Sequence, residues 1–164
     1  MDYSKLRYFT CKYSELSKYY KNNLLNLLNN SFNLSKYELH DFTIINGFLY
    51  NNEIIASVSI LFHDDLKLVL EKNNNHKMVG YSNKGDNGIF LYNVVVKEDF
   101  KRKRLAEVLI NLCIQNYPNF KYLHAQVKKD NEPSFNLFFK CGFQIETEMS
   151  DDNNNIVMVM SRNI

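Results

Sequence analysis

Glycine, proline and tryptophan are scarce in this chain of 164 residues, which has five glycines, two prolines and no tryptophan. The glycines, Gly47, Gly80, Gly85, Gly88 and Gly142, are too widely spaced for the patterns GxxxxGKS/T or GxGxxG. The sequence therefore excludes P-loop NTPases and standard Rossmann-type dinucleotide binders. Any phosphate site must be built without the usual glycine-rich loop.

The chain also lacks a strong excess of positive or negative charge, and it lacks long apolar runs. Lys plus Arg number 20 against 18 Asp plus Glu, a formal net charge of +2, which is far from the basic excess of a dedicated nucleic-acid binder. No run reaches the roughly 18 uncharged apolar residues of a membrane span. We therefore expect no nucleic-acid partner and no membrane segment. With 45% hydrophobic residues, the chain is expected to form one domain over residues 1–164.

Disulfides and metal ligands are not expected either. Cys11, Cys113 and Cys141 are odd in number, lack CxxC spacing and lie in apolar surroundings, which indicates buried reduced thiols. The four histidines are scattered without paired spacing, so no metal site is predicted. The chain start lacks a basic region followed by an apolar core, and we expect a cytoplasmic protein.

Hydrophobic periodicity predicts strands and helices that alternate, an α/β (α+β) fold. Strands are predicted at residues 6–11, 44–50, 53–62, 89–96, 122–127, 143–149 and 156–161. Helices are predicted from Ser14 to Leu28, at residues 35–42, from Arg104 to Tyr117, and from Pro133 to Cys141. Asn51 and Asn52 favour a two-residue hairpin turn. Residues 63–88 show no single period and form either an extra hairpin or a flap on the substrate side.

The stretch from Val94 to Ala106 is the most informative for chemistry. A buried strand ends at Val96, a short charged loop follows, and a helix opens with four consecutive cations, Lys101 to Arg104, over its first turn. Unpaired N–H groups at the helix start, the positive end of the helix dipole and the fixed side-chain charge converge there, which favours an anion site. A solvated basic loop is the alternative for a cation run judged alone.

This stretch resembles motif A of the GNAT acetyltransferase superfamily, an apolar strand ending in valine followed by Arg/Gln-x-x-Gly-x-Gly/Ala at a helix start. Val96 matches the valine, Lys101 the first basic position, Arg104 the first glycine and Ala106 the small residue. A second stretch resembles motif B, Asn-x-x-Ala-x-x-x-Tyr-x-Lys-x-Gly-Phe. The residues of this chain in register with it are Asn131, Ser134, Lys140, Gly142 and Phe143. The nearest motif pattern is that of the ribosomal-protein N-terminal acetyltransferases.

The resemblance implies a GNAT fold, with a mixed central sheet splayed between the fourth and fifth strands and flanked by about four helices. Acetyl-CoA would lie in the cleft, with its pantetheine along the backbone of Val94 to Val96 and its pyrophosphate on the N–H groups of Arg102 to Glu107. A primary amine would attack the thioester directly, while a backbone N–H near Val94 polarises its carbonyl. The implied cofactor-binding residues are Val94, Val95, Val96, Lys101, Arg102, Lys103, Arg104, Leu105, Ala106, Glu107, Asn131, Ser134 and Phe138.

Two positions depart from the branch that the chain most resembles. That branch has a glutamate as general base and a tyrosine as general acid, where this chain has Gln126 and Phe138, neither of which transfers a proton. His124 precedes Gln126 by two residues and faces the same side of the strand. Histidine has an unperturbed pKa near 6.5, and we hypothesise that His124 assists deprotonation; a histidine partly buried against a helix is the alternative. Tyr92 and Asn93 could instead hold a water that relays the proton.

Arg104 in place of glycine leaves two possibilities for the phosphate loop. Its side chain crowds the pyrophosphate, because glycine permits closer backbone approach, or its guanidinium forks onto phosphate and offsets that loss.

The acceptor is open from sequence. Acidic residues in regions that border the acceptor side of this fold favour a small-molecule amine such as a polyamine or amino sugar. They are Asp64, Asp65, Glu71, Glu146, Glu148, Asp151 and Asp152. The alternatives are a protein N-terminal acetyltransferase and a catalytically silent acyl-CoA-binding module, and the protein is expected to be a monomer or homodimer.

Overall fold

The computed structural model describes residues 1–33, 38–62, 64–65, 68, 88–120, 122–150 and 156–163. Its strands are β1 (Leu6–Lys12), β2 (Ile44–Tyr50), β3 (Glu53–Phe62), β4 (Gly88–Val96), β5 (Tyr122–Lys128), β6 (Gln144–Ser150) and β7 (Ile156–Asn163). The helices within these residues are α1 (Lys18–Phe32), α2 (Leu105–Asn116) and α3 (Glu132–Lys140). The strands form one mixed sheet in the order β1-β2-β3-β4-β5-β7-β6, in which β4 and β5 are parallel. The predicted fold class is confirmed.

Contacts along the chain define two compact units. Unit 1 comprises Met1–Ile60 and Asn93–Cys113, and unit 2 comprises Leu61–Tyr92 and Ile114–Ile164. The single domain over residues 1–164 stays a prediction. Among the described residues, no helix is both long and apolar enough to cross a membrane.

The β2–β3 hairpin of unit 1 has the predicted strand boundaries. Its two turn residues, Asn51 and Asn52, have φ of 50° and 62°, as a type I′ turn requires at both central positions. Asparagine tolerates this left-handed conformation better than most residues. The turn chemistry read from the sequence is therefore confirmed.

Helices α1 and α2 cover opposite faces of the sheet in unit 1. Leu24 and Leu28 of α1 belong to a buried cluster against which Phe9 packs, whereas Leu109 of α2 belongs to a cluster against which Tyr8 packs. Neighbouring residues on a regular strand point to opposite faces, so the two clusters lie on opposite sides of β1. Burial of its own apolar stripe is what allows the asparagine-rich α1 to be helical.

Two helix predictions in the first quarter of the chain are wrong: the start of α1, and the helix predicted at residues 35–42, over its described part. Helix α1 is capped by Ser17, whose Oγ accepts from the N–H of Tyr20 at 3.4 Å, and not by Ser14, which lies in a separate 3₁₀ turn. Residues 38–42 form coil and turn where a helix is predicted. The carbonyl groups of Asp41 and Thr43 instead accept backbone N–H groups of the Tyr13–Glu15 turn, at 3.2 and 2.7 Å. Residues 34–37 and 63, 66–67 and 69–87 lie outside the described residues, so the question of a hairpin or flap stays open.

Unit 2 is built around β5. The parallel register with β4 runs from Gly88 opposite Tyr122 to Leu91 opposite Ala125. On its other side β5 pairs with β7 in antiparallel fashion along its whole length, and β7 pairs with β6. Helix α3 carries Pro133 in its first turn and ends before Gly142, whose φ is 82°, as predicted.

Candidate active site

The β4–α2 loop, residues 97–104, is the predicted phosphate loop and lies in unit 1. The N–H of Lys97 donates to the carbonyl of Ile55 at 2.7 Å, which fixes the start of the loop to β3. Phe100 packs its ring edge-on against Tyr50, with centroids 5.3 Å apart. The loop is therefore anchored by one backbone bond and one aromatic contact before it reaches its cations.

Backbone conformation is the unusual property of this loop. Arg102 and Arg104 have φ of 59° and 60°, while Lys101 is extended, with φ of −62° and ψ of 162°. A left-handed conformation costs a residue with a Cβ about 1–2 kcal/mol. The loop thus keeps a glycine-like backbone although Arg104 occupies the position where the motif has glycine.

Three of the four loop cations already contact an acceptor nearby. Lys101 pairs with Glu98 at 2.5 Å, and Lys103 donates to the carbonyl of Asp99 at 3.1 Å. The guanidinium of Arg104 forks onto Glu107 with N···O distances of 3.0 and 2.6 Å. The Glu107 carboxylate, by hydrogen bond and charge, raises the pKa of Arg104. Exposed pairs of this kind contribute little free energy, so an incoming polyanion can replace the carboxylates.

These features fit a pyrophosphate group. The N–H of Val108 donates to the carbonyl of Arg104 at 3.0 Å, and helix α2 begins at Leu105. The prediction that Lys101 to Arg104 lie over the first turn of the helix is therefore wrong, because the positive φ of Arg102 and Arg104 keeps them in the loop. The first N–H groups of any α-helix lack acceptors within the helix and carry the positive end of its dipole. The start of the 12-residue helix α2 lies directly after the left-handed residues and exposed cations of the loop. Phosphates bind at helix starts of this kind.

Strand β4 is irregular at the residues predicted to line the cofactor. Its parallel pairing with β5 ends at Leu91, and Asn93 has a positive φ of 52°, which breaks the regular strand geometry just before Val94. Val94 and Val96 are half-buried, whereas Val95 is buried in the α1 cluster. Tyr92, proposed as a water-holding residue, is half-buried.

His124 lies on β5 in unit 2 and is only 8% exposed. Its ring stacks on Phe90 with centroids 5.0 Å apart and planes at 23°, and Tyr122 lies 6.1 Å away. Its Nδ1 is 3.7 Å from the Oε2 of Glu146 on β6. The structure therefore places the candidate base in an aromatic enclosure with a carboxylate beside it, and places Gln126 at an exposed position of the same strand.

The motif B residues have structural roles in this fold. The side chain of Asn131 caps α3, with its Oδ1 accepting from the N–H of Ser134 at 3.2 Å. Phe138, at the position of the branch's tyrosine, is 4% exposed and packs edge-on against Phe143 with centroids 5.0 Å apart. Their predicted contacts with the cofactor stay predictions.

The cysteines are free thiols; Cys113 and Cys141 are buried as predicted, whereas Cys11 is half-buried, and its predicted burial is wrong. Burial raises the pKa of Cys113 to about 12. Within the described part of the chain, no cluster of His, Cys, Asp and Glu side chains could hold a metal ion.

Sequence reasoning missed the specific position of Glu146, which it placed only among acidic residues bordering the acceptor side. The carboxylate reaches His124 from a strand that is not adjacent to β5 in the sheet order. No spacing in the sequence reports such a contact, because it depends on the register of β6 against β7.

A family model described as the acetyltransferase (GNAT) family matches residues 7–143, and the chain belongs to this family. It is accordingly an acyltransferase enzyme whose cofactor is acetyl-CoA. A comparison with curated proteins finds no match.

Solved structures of this family share the fold at low sequence identity. Escherichia coli ElaA is 17% identical with a TM-score of 0.64, over 96% of this chain and 99% of that chain. NAA60 of Arabidopsis thaliana in complex with acetyl-CoA is 13% identical with a TM-score of 0.67, over 97% and 98%. The ribosomal-protein-S18-alanine N-acetyltransferase of Escherichia coli is 12% identical with a TM-score of 0.59, over 96% and 94%.

Proposed function

We propose that the protein acetylates the primary amine of a small cationic molecule, such as a polyamine or an amino sugar. The observation that carries this proposal is the pairing of His124 with Glu146, at 3.7 Å. An imidazole can accept the proton that a primary amine must lose before it attacks. A carboxylate that is 42% exposed beside it also attracts a cationic acceptor.

The proposed cofactor contacts lie along β4 and the β4–α2 loop. Acetyl-CoA supplies an acetyl thioester whose carbonyl carbon the amine attacks. The backbone of Val94 to Val96 would pair with the pantetheine amides as an added strand does. Arg102, Lys103 and Arg104 would hold the pyrophosphate, with Arg104 exchanging Glu107 for phosphate.

Proton handling and carbonyl polarisation fall to this chain's own groups. His124 would take a proton from the ammonium group of the acceptor, since no carboxylate stands at Gln126. The kink at Asn93, with φ of 52°, would turn the N–H of Val94 away from the regular strand direction, which supports the predicted role of a backbone N–H at the thioester carbonyl. Alignment of the two reactants alone contributes effective molarities of about 10⁵–10⁸ M.

A catalytically silent acyl-CoA-binding module is the second candidate. The burial of Phe138 against Phe143 favours it, because no acid is present where the related branch has one. The two functions make different predictions for free thiol in the presence of an amine.

A thiol-release assay with acetyl-CoA tests the proposal over a panel of acceptors. The panel contains polyamines, amino sugars and peptides with a free N-terminal alanine, each at the same concentration. We expect amine-dependent thiol release that is fastest with the small cationic amines. Release that is fastest with the peptides would assign the protein N-terminus as acceptor, and calorimetric binding of acetyl-CoA without release would assign the silent module.

A further inference from the structure

We propose that Glu107 competes with the pyrophosphate of acetyl-CoA for the guanidinium of Arg104, and that it thereby lowers the affinity of the protein for its cofactor. The inference rests on the proposed cofactor contacts of the β4–α2 loop and names the residue of this chain that opposes them. It is carried by the geometry of one ion pair, the position of Glu107 on α2 and the exposure of the two side chains.

The first observation is that Glu107 occupies the guanidinium as a phosphate group would. The Nε and Nη2 atoms of Arg104 donate to the two carboxylate oxygens of Glu107 at 3.0 and 2.6 Å. A phosphate binds a guanidinium through the same pair of parallel N–H···O bonds. One edge of a guanidinium holds one such partner at a time, so a pyrophosphate that binds at this edge must replace Glu107.

The second observation is that Glu107 lies where a helix favours an anion. Helix α2 begins at Leu105, directly after Arg104, and Glu107 is the acidic residue of its first turn. The positive end of the helix dipole stabilises negative charge in the first turn, and a bound phosphate gains from the same position. In the free protein, the carboxylate of Glu107 therefore supplies part of the negative charge that the cofactor would bring.

The third observation is the unequal exposure of the pair. The side chain of Glu107 is 19% exposed, whereas that of Arg104 is 77% exposed. The carboxylate is thus held against the protein, and the guanidinium is the group that can turn toward a ligand. Lys101, by contrast, pairs with Glu98, whose side chain is 80% exposed. Glu107 is therefore a stronger internal competitor than Glu98.

Calorimetry of acetyl-CoA binding tests the inference in wild type, Glu107→Gln, Arg104→Gln and the double variant. Glutamine keeps the size of the side chain and removes its charge, so Glu107→Gln should lower the Kd for acetyl-CoA by roughly threefold, as expected for the loss of a single competing ion pair. Arg104→Gln alone should raise the Kd. In that background, Glu107→Gln should change the Kd by less than about 1.5-fold, because the guanidinium that Glu107 holds is absent.

The matched control is Glu53→Gln. Glu53 pairs with Lys97 at 2.6 Å at the start of the same loop, and Lys97 is not among the proposed cofactor-binding residues. This variant should therefore leave the Kd for acetyl-CoA unchanged. In steady-state kinetics, Glu107→Gln should lower the KM for acetyl-CoA and leave kcat unchanged, which the loss of a purely structural contact would not do.

Two results would overturn the inference. One is a Kd in Glu107→Gln that equals or exceeds that of wild type, with circular dichroism showing that the variant is folded; a raised Kd in Arg104→Gln would then retain the proposed phosphate contact and reject the competition alone. The other is an equal decrease of Kd in both Arg104 backgrounds, since Glu107 would then repel phosphate without acting through Arg104. Because calorimetry uses no amine, tighter binding by Glu107→Gln in a protein that acetylates no amine would identify the proposed function as the part that fails.

Discussion

The β4–α2 loop and the surroundings of His124 differ in how exposed their charged side chains are. The loop uses backbone conformation and exposed charge, with the side chain of Arg104 77% exposed, and its ion pairs can be exchanged for a ligand. The ring of His124 is enclosed, with that side chain 10% exposed, although the Glu146 side chain beside it is 42% exposed. If the loop binds the cofactor and His124 accepts the proton, as proposed, the two steps should respond to separate perturbations.

The largest expected effect is on proton transfer. His124→Ala should lower kcat with the preferred amine by roughly 10²-fold, the usual contribution of a general base, and leave acetyl-CoA affinity unchanged. Turnover is measured by thiol release at neutral pH and affinity by calorimetry. His40→Ala, which removes a histidine stacked on Phe42, is the control and should keep full turnover. Full turnover in His124→Ala would remove this residue from the mechanism.

The next largest effect is expected from salt, which should weaken acetyl-CoA binding by the loop more than it changes turnover. Raising ionic strength from about 0.05 M to about 0.5 M should raise the Kd for acetyl-CoA by roughly tenfold, because exposed cations are screened. With acetyl-CoA kept saturating, kcat should change by less than about twofold over the same range, since the proposed base His124 is buried and is less open to screening than the loop cations. An affinity that does not depend on salt would show that the loop cations do not hold the pyrophosphate.

Backbone strain in the loop gives a smaller effect. Arg102→Gly and Arg102→Ala remove the same charge, but only glycine relieves the positive φ of 59°. We expect the glycine variant to have a free energy of unfolding about 1 kcal/mol higher than the alanine variant. Urea denaturation of both proteins measures the difference. Equal stabilities would mean that the left-handed conformation at Arg102 carries no cost.

The smallest effect is expected at an exposed ion pair in unit 2. Lys129 and Glu148 have side chains that are 57% and 46% exposed, and such pairs contribute little. Lys129→Ala should change the free energy of unfolding by less than about 0.5 kcal/mol and leave turnover unchanged. A larger loss in urea denaturation would show that exposure is a poor guide to the strength of charge contacts here.

Local chemistry predicts the regular parts of this fold. The hairpin turn at Asn51 and Asn52 is readable because asparagine tolerates positive φ, and α3 is readable from Pro133 and Gly142 at its ends. The start of α1 was misplaced because Ser14 and Ser17 are both acceptable caps. Only the backbone bonds between the Tyr13–Glu15 turn and residues 41–43 decide between them.

The candidate site was predictable in part. Motif spacing predicts the phosphate loop, and strand alternation predicts His124 on the same face as Gln126; both roles stay predictions. Residue type argues against a left-handed arginine, so the conformation of Arg102 and Arg104 could not be read from the sequence. The contact of Glu146 with His124 could not be read either. It requires a bulge in β6, and bulges are set by the register between paired strands.

Mass spectrometry of acceptor amines incubated with the protein and acetyl-CoA is the direct test of amine acetylation by this protein. We expect that a small cationic amine gains one acetyl group while an equal amount of free thiol appears, and that His124→Ala slows both together. Acetyl-CoA bound by the protein with no acetylated amine and no thiol released across the panel would contradict it.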